Sequence, residues 1–319
     1  MAKKIGCAGI ICEDTFCGPM RELPREGELL AIGGMPVKAG GCAANVAIDL
    51  AKQGFAVDVA GCLGRDPSAD VLQGCLEKSG VGCEHITRVA DHPTSKTVIL
   101  LVDGQDRRYI HVFGANRGFQ VGHIARAWVE SLDIFYLGGL FLMPELKTTE
   151  LLDLLKFCRS RKIATVVDVV LPHAWDGLEE LKPLLPEIDY FLPNNDEAQM
   201  ITGQDDPLGQ LRALASYGAN TVIVTQGKAG AIAARGEEYW QCGVYPATVV
   251  DPSGSGDAFS AGIVTGLRHG WDMAQTLRYG SALGASATRA VGTTDGVFTA
   301  QEAEEFIAKH PLEVKTGKF

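Results

Sequence analysis

The chain has 319 residues, of which 46% are apolar and 38 are glycine, enough to bury a large core in one α/β domain with a small appendage. Its 39 Asp and Glu against 29 Lys and Arg give a formal charge of −10, and no basic block is long enough to track a nucleic-acid backbone, so nucleic acid is not an expected partner. No apolar run approaches the roughly 20 residues of a membrane span, and Met1-Ala-Lys-Lys-Ile5 lacks an export signal, so no membrane partner and a cytoplasmic location are expected.

In chain order, short apolar runs predict strands at 5–11, 57–61, 97–102, 134–137, 164–169, 190–192 and 221–225. Helix-length amphipathic stretches fall between most of them, at 43–52, 67–79, 149–161, 178–185 and 207–217, and the last third turns helical at 257–267, 272–289 and 300–308. This alternation implies an α/β fold with a doubly wound, mostly parallel sheet and helices on both faces. Two segments break it: 29–38, and 97–113 with its turn at Asp103-Gly104-Gln105. Both read as strands of a small antiparallel sheet over the main one, which fits a lid, an edge extension or a dimer surface. An exposed sheet edge favours self-pairing, so a homodimer through the lid is expected. The nine cysteines form no Cys-x-x-Cys pair and sit mostly in apolar segments, as small buried residues do.

Asp14 follows the first strand, where open α/β sheets bind ligands. Gly40 and Gly41 let a ligand approach the backbone, and Asn45, one turn into the next helix, offers a donor and an acceptor to vicinal hydroxyls; a sugar suits them. Read singly, Asp14 is also an ordinary loop carboxylate and Asn45 a helix polar residue. The most informative stretch is Asp251-Pro-Ser-Gly-Ser-Gly-Asp257, which opens directly into the apolar Ala258-Phe259. Gly254, Ser255 and Gly256 carry little bulk, so their amides can converge on an anion at a helix N-terminus. Asp257 then sits where a carboxylate takes the proton of a hydroxyl attacking phosphorus, with Asp251 on the other rim to orient a cation. A plain helix cap, with Asp257 complementing the dipole, fits the same residues. No Gly-x-Gly-x-x-Gly follows the first strand and no Gly-x-x-x-x-Gly-Lys-Ser/Thr occurs, which disfavours a nicotinamide dehydrogenase and a Walker-type NTPase.

Four motifs then stand in order: Gly40-Gly41-x-x-x-Asn45 with Gly54 and Gly64 downstream, Pro193-Asn194-Asn195-Asp196-Glu197, Thr225-Gln-Gly227-Lys228-x-Gly230, and Asp251-x-x-Gly-x-Gly-Asp257. Together, over about residues 4–309, they resemble the ribokinase-like (PfkB) carbohydrate kinase family. The resemblance implies ATP and Mg²⁺ as co-substrates and phosphorylation of a hydroxyl on a small sugar or sugar acid. The expected organisation is one kinase domain over 1–312, with lid segments at about 15–39 and 93–118 and a tail at 313–319. Asp257 matches the family's base, and the backbone of Gly254, Ser255 and Gly256 its anion hole. Asp14, Gly40, Gly41 and Asn45 match the sugar positions, Asn194 and Glu197 those that organise Mg²⁺ and the phosphates, and Thr225, Gly227, Lys228 and Gly230 the nucleotide loop. Asp251 and Ser253, with the backbone of 287–292, match the surroundings of a bound K⁺. A nucleoside kinase with Tyr109, Phe113 or Phe119 under the base, and a catalytically silent sensor, are the alternatives.

The departures bear on specificity. Tyr136-Leu137-Gly138-Gly139 is not followed by the Glu that ribokinases proper place there, so strict ribose specificity is not expected. Asp168-Val-Val-Leu-Pro172 also lacks the family's frequent Asp-x-Asn-x-Arg. Specificity is expected in the hairpin and the segment after it, where Arg108 and Asn116 are the nominated substrate residues. An Arg forking onto a carboxylate there would favour an acidic sugar, such as a 2-keto-3-deoxy sugar acid, over the alternative of a solvated strand face.

Overall fold

The computed structural model describes residues 4–105 and 107–319. In chain order its first half runs β1 Ile5–Gly9, β2 Cys12–Met20, β3 Val37–Gly40, α1 Cys42–Lys52, β4 Val57–Leu63, α2 Pro67–Lys78, β5 Val81–Arg88, β6 Lys96–Val102, β7 Arg108–Val112, α3 Arg126–Val129, β8 Ile134–Leu140 and α4 Thr148–Arg161. The second half runs β9 Ala164–Val169, α5 Leu178–Leu181, β10 Tyr190–Leu192, α6 Asn195–Thr202, α7 Pro207–Ser216, β11 Thr221–Thr225, β12 Ala231–Arg235, β13 Glu238–Cys242, α8 Ser255–His269, α9 Met273–Ala287, α10 Ala300–Lys309 and β14 Val314–Lys318.

Ten strands form the main sheet in the order β14-β13-β12-β11-β10-β9-β8-β1-β4-β5. The strands from β5 to β11 are parallel, and β12, β13 and β14 continue the sheet antiparallel. Strand alternation feeds two cores. Ile5 and Cys7 of β1 face α1, α8 and α9, whereas Ala8 faces the side covered by α3, α4 and α7. The chain order reverses at β1, whose neighbours are β4 on one side and β8 on the other, so a crevice opens at the carboxyl ends of these strands. Over it stands a separate four-stranded sheet, β3-β2-β6-β7, which is mixed rather than antiparallel, because β2 and β6 run parallel.

The fold class matches the expectation, and several elements differ for identifiable reasons. The expected strand at 5–11 divides: β1 stops at Gly9 and β2, starting at Cys12, enters the small sheet. Gly18 and Pro19 disguise β2 in sequence, and its pairing with β6 is irregular between Cys17 and Met20. The strand expected at 29–38 is mostly irregular chain, with only Val37–Gly40 paired, as Gly33, Gly34 and Pro36 interrupt any alternation. The helix expected at 178–185 stops at Leu181, because Pro183 and Pro186 cannot continue it. The segment 313–319, read as a tail, contains the edge strand β14, paired along its length with β13. Its Val-Lys-Thr-Gly-Lys sequence carries a single apolar residue and so leaves no strand signal.

Helices α8 and α9 cross at glycine. A Cβ placed on Gly262 would lie 2.5 Å from the Gly280 Cα, so the two backbones touch there. Gly280→Val is expected to cost about 1–3 kcal/mol or more through overpacking, read as a lower denaturation midpoint with an unchanged m-value.

Candidate active site

The carboxylate of Asp14 is buried at the foot of the small sheet, only 5% exposed. Gly40 lies so close to it that any Cβ would collide with the carboxylate oxygens, so glycine is the residue that lets β3 pass. Asp14 Oδ1 accepts from the Cys12 thiol at 3.1 Å. The register β2–β6–β7 puts Asp14, Thr97 and His111 in one row, with Thr97 Oγ1 3.1 Å from His111 Nδ1 and 3.7 Å from Cys12 Sγ. Burial raises the Asp14 carboxyl to about 6 and lowers His111 below its ordinary value.

Gly254 takes a left-handed φ of 76° and turns the chain into α8. The Ser255 amide is spent on Pro252 O at 3.3 Å, so the first-turn amides of Gly256 and Asp257 are the ones available to an anion. Asp257 Oδ2 accepts from Asn45 Nδ2 at 2.7 Å, joining α8 to α1 across 212 residues of chain. On the far side of the same carboxamide, the Thr293 hydroxyl donates to Asn45 Oδ1 at 2.8 Å. Burial raises the Asp257 carboxyl, and hydrogen bonds from Asn45 and the Cys42 thiol oppose that rise. Asp14, Asn45 and Asp257 thus meet at one end of the sheet, below Gly40 and Gly41.

On the other side of the α8 N-terminus lies a cavity of about 460 Å³, walled by Thr225, Lys228, Tyr245, Gly256, Phe259 and Ala285 among others. Gly227 and Gly230 line it too, and Asn194 forms a β-bridge to Thr225, so the expected nucleotide residues converge. Asn194 and Glu197 are also a reciprocal cap of α6: Asn194 Oδ1 accepts from the Glu197 amide at 2.9 Å and Glu197 Oε2 from the Asn194 amide at 2.8 Å. Burial lifts Glu197 to about 7. Asp251 is wholly buried, with Oδ1 accepting from the Ser253 amide at 3.0 Å and Oδ2 from the Gly292 amide at 3.1 Å. It therefore ties the 251–253 turn to the 288–292 segment. The buried Ser253 hydroxyl has no hydrogen-bond partner among the described residues.

Two nominated substrate residues are engaged in other contacts. Arg108 sits on the face of β7 opposite the Asp14 row and donates to Gln105 Oε1 at 2.6 Å within its own hairpin, because strand alternation carries even-numbered residues outward. Asn116 is buried, and its carboxamide is consumed structurally: Oδ1 accepts from the Ile11 amide at 3.3 Å, and Nδ2 donates to Ile11 O at 3.1 Å and Ser95 Oγ at 2.8 Å. The sequence reading missed Asp168 and Cys42. One oxygen each of Asp168 and Asp257 and the Cys42 sulfur lie within 4.8 Å of one another. Burial, then Asp257 and Glu197, hold Asp168 well above the ordinary carboxylate range, while Tyr136 donates to its Oδ2 at 3.3 Å. Its place near the end of β9, at the carboxyl edge of a parallel sheet, was the available signal.

Residues 3–300 match the pfkB family carbohydrate kinase description. The chain belongs to the pfkB carbohydrate kinase family. Among relatives, it is 28% identical over 262 residues to an ATP-dependent 6-phosphofructokinase of Thermoanaerobacterium thermosaccharolyticum, covering 79% of this chain and 80% of that one. It is 25% identical over 287 residues to a ribokinase of Bacillus subtilis, covering 89% and 93%. Among solved structures, Arabidopsis thaliana ribokinase complexed with ribose and ATP superposes with a TM-score of 0.80 at 23% identity, covering 96% of this chain and 99% of that one. Xylella fastidiosa fructokinase with bound ATP gives 0.81 at 21%, covering 97% and 99%. This pfkB kinase is accordingly an ATP-dependent phosphotransferase acting on a sugar.

In this kinase the Asp14 carboxylate is a stability cost with a defined pH window. Its native value of about 6 exceeds the ordinary 3.8, so the native state binds the extra proton between those values. Stability therefore falls as pH rises through that window, and the full cost applies above it. Asp14→Asn is expected to raise stability by about 1–3 kcal/mol at pH 7 to 8, with the gain vanishing below pH 4, while weakening sugar use. Denaturation of both proteins across pH checks it.

Proposed function

We propose that Asp257 is the base that receives the proton of the sugar hydroxyl as the γ-phosphoryl group of ATP is transferred to it. The observation that carries this reading is the shared wall made by the first turn of α8. Gly256 faces the nucleotide cavity, and one residue later Asp257 meets Asn45 on the sugar side. The amides of Gly256 and Asp257 stabilise negative charge on the phosphoryl oxygens, with Gly254 setting their direction. Asp14 accepts from sugar hydroxyls, and Asn45 orients both the sugar and Asp257, while Thr225, Gly227, Lys228 and Gly230 hold the nucleotide.

The oxygen donors of Asn194 and Glu197 suit a hard cation, so these residues would hold Mg²⁺ and its waters beside the phosphates. When bound, Mg²⁺ supplies charge neutralisation on the phosphate oxygens. The orphaned Ser253 hydroxyl beside Asp251 and the 288–292 segment suits a K⁺ site. An uncharged sugar fits better than the sugar acid expected from the hairpin arginines. Among the described residues no Lys or Arg forms an ion pair with Asp14, Asp168 or Asp257; Arg108 faces outward, and Arg107 donates to the Tyr109 hydroxyl within the hairpin. The nucleoside alternative loses support because the relatives compared above phosphorylate sugars by name and Phe119 is wholly buried in the core.

ADP release with Mg-ATP and K⁺ should be strongest with a neutral sugar, and Asp257→Asn should lower kcat about 10²- to 10⁴-fold. The acid limb of the rate profile should lie above the ordinary carboxylate value, because burial raises Asp257. A sugar acid as best substrate would remove the uncharged-acceptor reading, and full activity of Asp257→Asn would remove the base.

The outer face of the small sheet supports a homodimer. Val37, Ile110 and Val112 share that face with Thr15 and Val98, and are 45%, 62% and 54% exposed. Ile110→Lys is expected to give a monomer at concentrations where the parent sediments as a dimer.

A further inference from the structure

The segment between α9 and α10 contributes one side chain, Thr293, to the interior of the site. Thr293 is 6% exposed and stands at a junction of three parts of the site. Its hydroxyl donates to Asn45 Oδ1 at 2.8 Å and also lies 3.2 Å from Ala39 O, next to Gly40. Its backbone packs on the anion-hole turn, where a Cβ on Gly254 would strike the Thr293 carbonyl. The preceding residue, Gly292, donates its amide to Asp251 Oδ2 at 3.1 Å.

A carboxamide has one donor end and one acceptor end, so a donor held on its oxygen turns its nitrogen to the opposite side. Asn45 Nδ2 faces Asp257 Oδ2 at 2.7 Å, and that bond favours the ionised carboxylate. We propose that Thr293 is a positioning residue for phosphoryl transfer: its hydroxyl fixes the orientation of the Asn45 carboxamide and thereby sets the basicity of Asp257. The proposal deepens the proposed function and rests on Asp257 as the base. Thr293 itself touches neither substrate nor the reacting atoms; it acts through Asn45.

Other groups also bear on Asp257. Cys42 and Asp49 belong to α1, Cys12 and Asp14 to β2, Tyr136 to β8 and Asp168 to β9. None is altered by exchanging Thr293, so a pair of variants isolates the hydroxyl. Thr293→Val keeps the shape and removes the donor; Thr293→Ser keeps the donor and removes a methyl group.

The test is a pH titration of aspartate ¹³Cγ signals in the full chain, with Asp257→Asn assigning the resonance, beside the pH profile of kcat/KM for the best sugar. In Thr293→Val the Asp257 midpoint should move upward by half a pH unit or more and the acid limb of the profile should follow it. Thr293→Ser should keep both near the parent values. The KM for ATP should change less than twofold in either variant. An Asp257 midpoint equal in parent and Thr293→Val overturns the proposal, as does equal displacement in Val and Ser variants. If Thr293→Val fails to fold, Thr293→Ala replaces it in the same comparison. A midpoint displaced in Thr293→Val and not in Thr293→Ser, together with full activity of Asp257→Asn, supports the Thr293–Asn45–Asp257 linkage and removes Asp257 as the base, so the two failures are separable.

Discussion

A carboxylate withdrawn from water is costly to hold, and Asp257, proposed above as the base, is both withdrawn and held in a fixed direction. Three features of the fold meet that demand together. The N-terminus of α8 offers amides and a favourable dipole, Asn45 offers a donor at 2.7 Å, and the first turn of the helix fixes direction. Since Asn45 and Asp257 are 212 residues apart, the bond exists only when α1 and α8 pack on the same face of the main sheet. The site is therefore assembled by the core rather than by its loops.

The other acidic groups follow from the same geometry. Asp14, Asp168 and Glu197 are all raised by burial, and Asp168 further by Asp257, so protons and hydrogen-bond donors rather than lysines or arginines moderate their charge. Tyr136, the Cys12 thiol and the α6 cap are those donors. In a chain with a formal charge of −10, the positive features at the cavity are the amides of the α8 N-terminus and Lys228 rather than a general positive field.

Much of this was legible in the residues. The alternation of apolar runs and helices announced the sheet, and Gly254 to Asp257 offered an anion site beside the reading of a plain helix cap. Asn45 and the 225–230 loop were recognisable by motif, and Asp14 by its place just after the first strand. What escaped was set by tertiary contacts. Asn116 has the composition of a ligand residue, yet its carboxamide closes the link from Ile11 to Ser95. Arg108 is polar and suitably placed in sequence, but one step of strand alternation turns it to the outer face. Asp168 and Thr293 belong to no motif, and each matters only through a neighbour that the fold brings to it. The edge strand β14 carries too little apolar character to signal itself.

The glycine contact between α8 and α9 divides the molecule by how freely it can vary. Gly262 and Gly280 leave no room for a side chain, and a Cβ on Gly284 would already press on Ser255 O at 3.1 Å, at the anion-hole turn. The region around the cavity thus has little latitude for substitution: a change at the crossing alters the cavity wall and the 254–257 turn together. Among the described residues, Val37, Ile110 and Val112 on the outer face of the four-stranded sheet carry no such constraint, whereas Ala39 and Gly40 of the same sheet are tied to Thr293 and Asp14. Variation is therefore open to this architecture on the outer face of the small sheet, while the α8–α9 crossing admits little, because Gly262 brings the two backbones into contact.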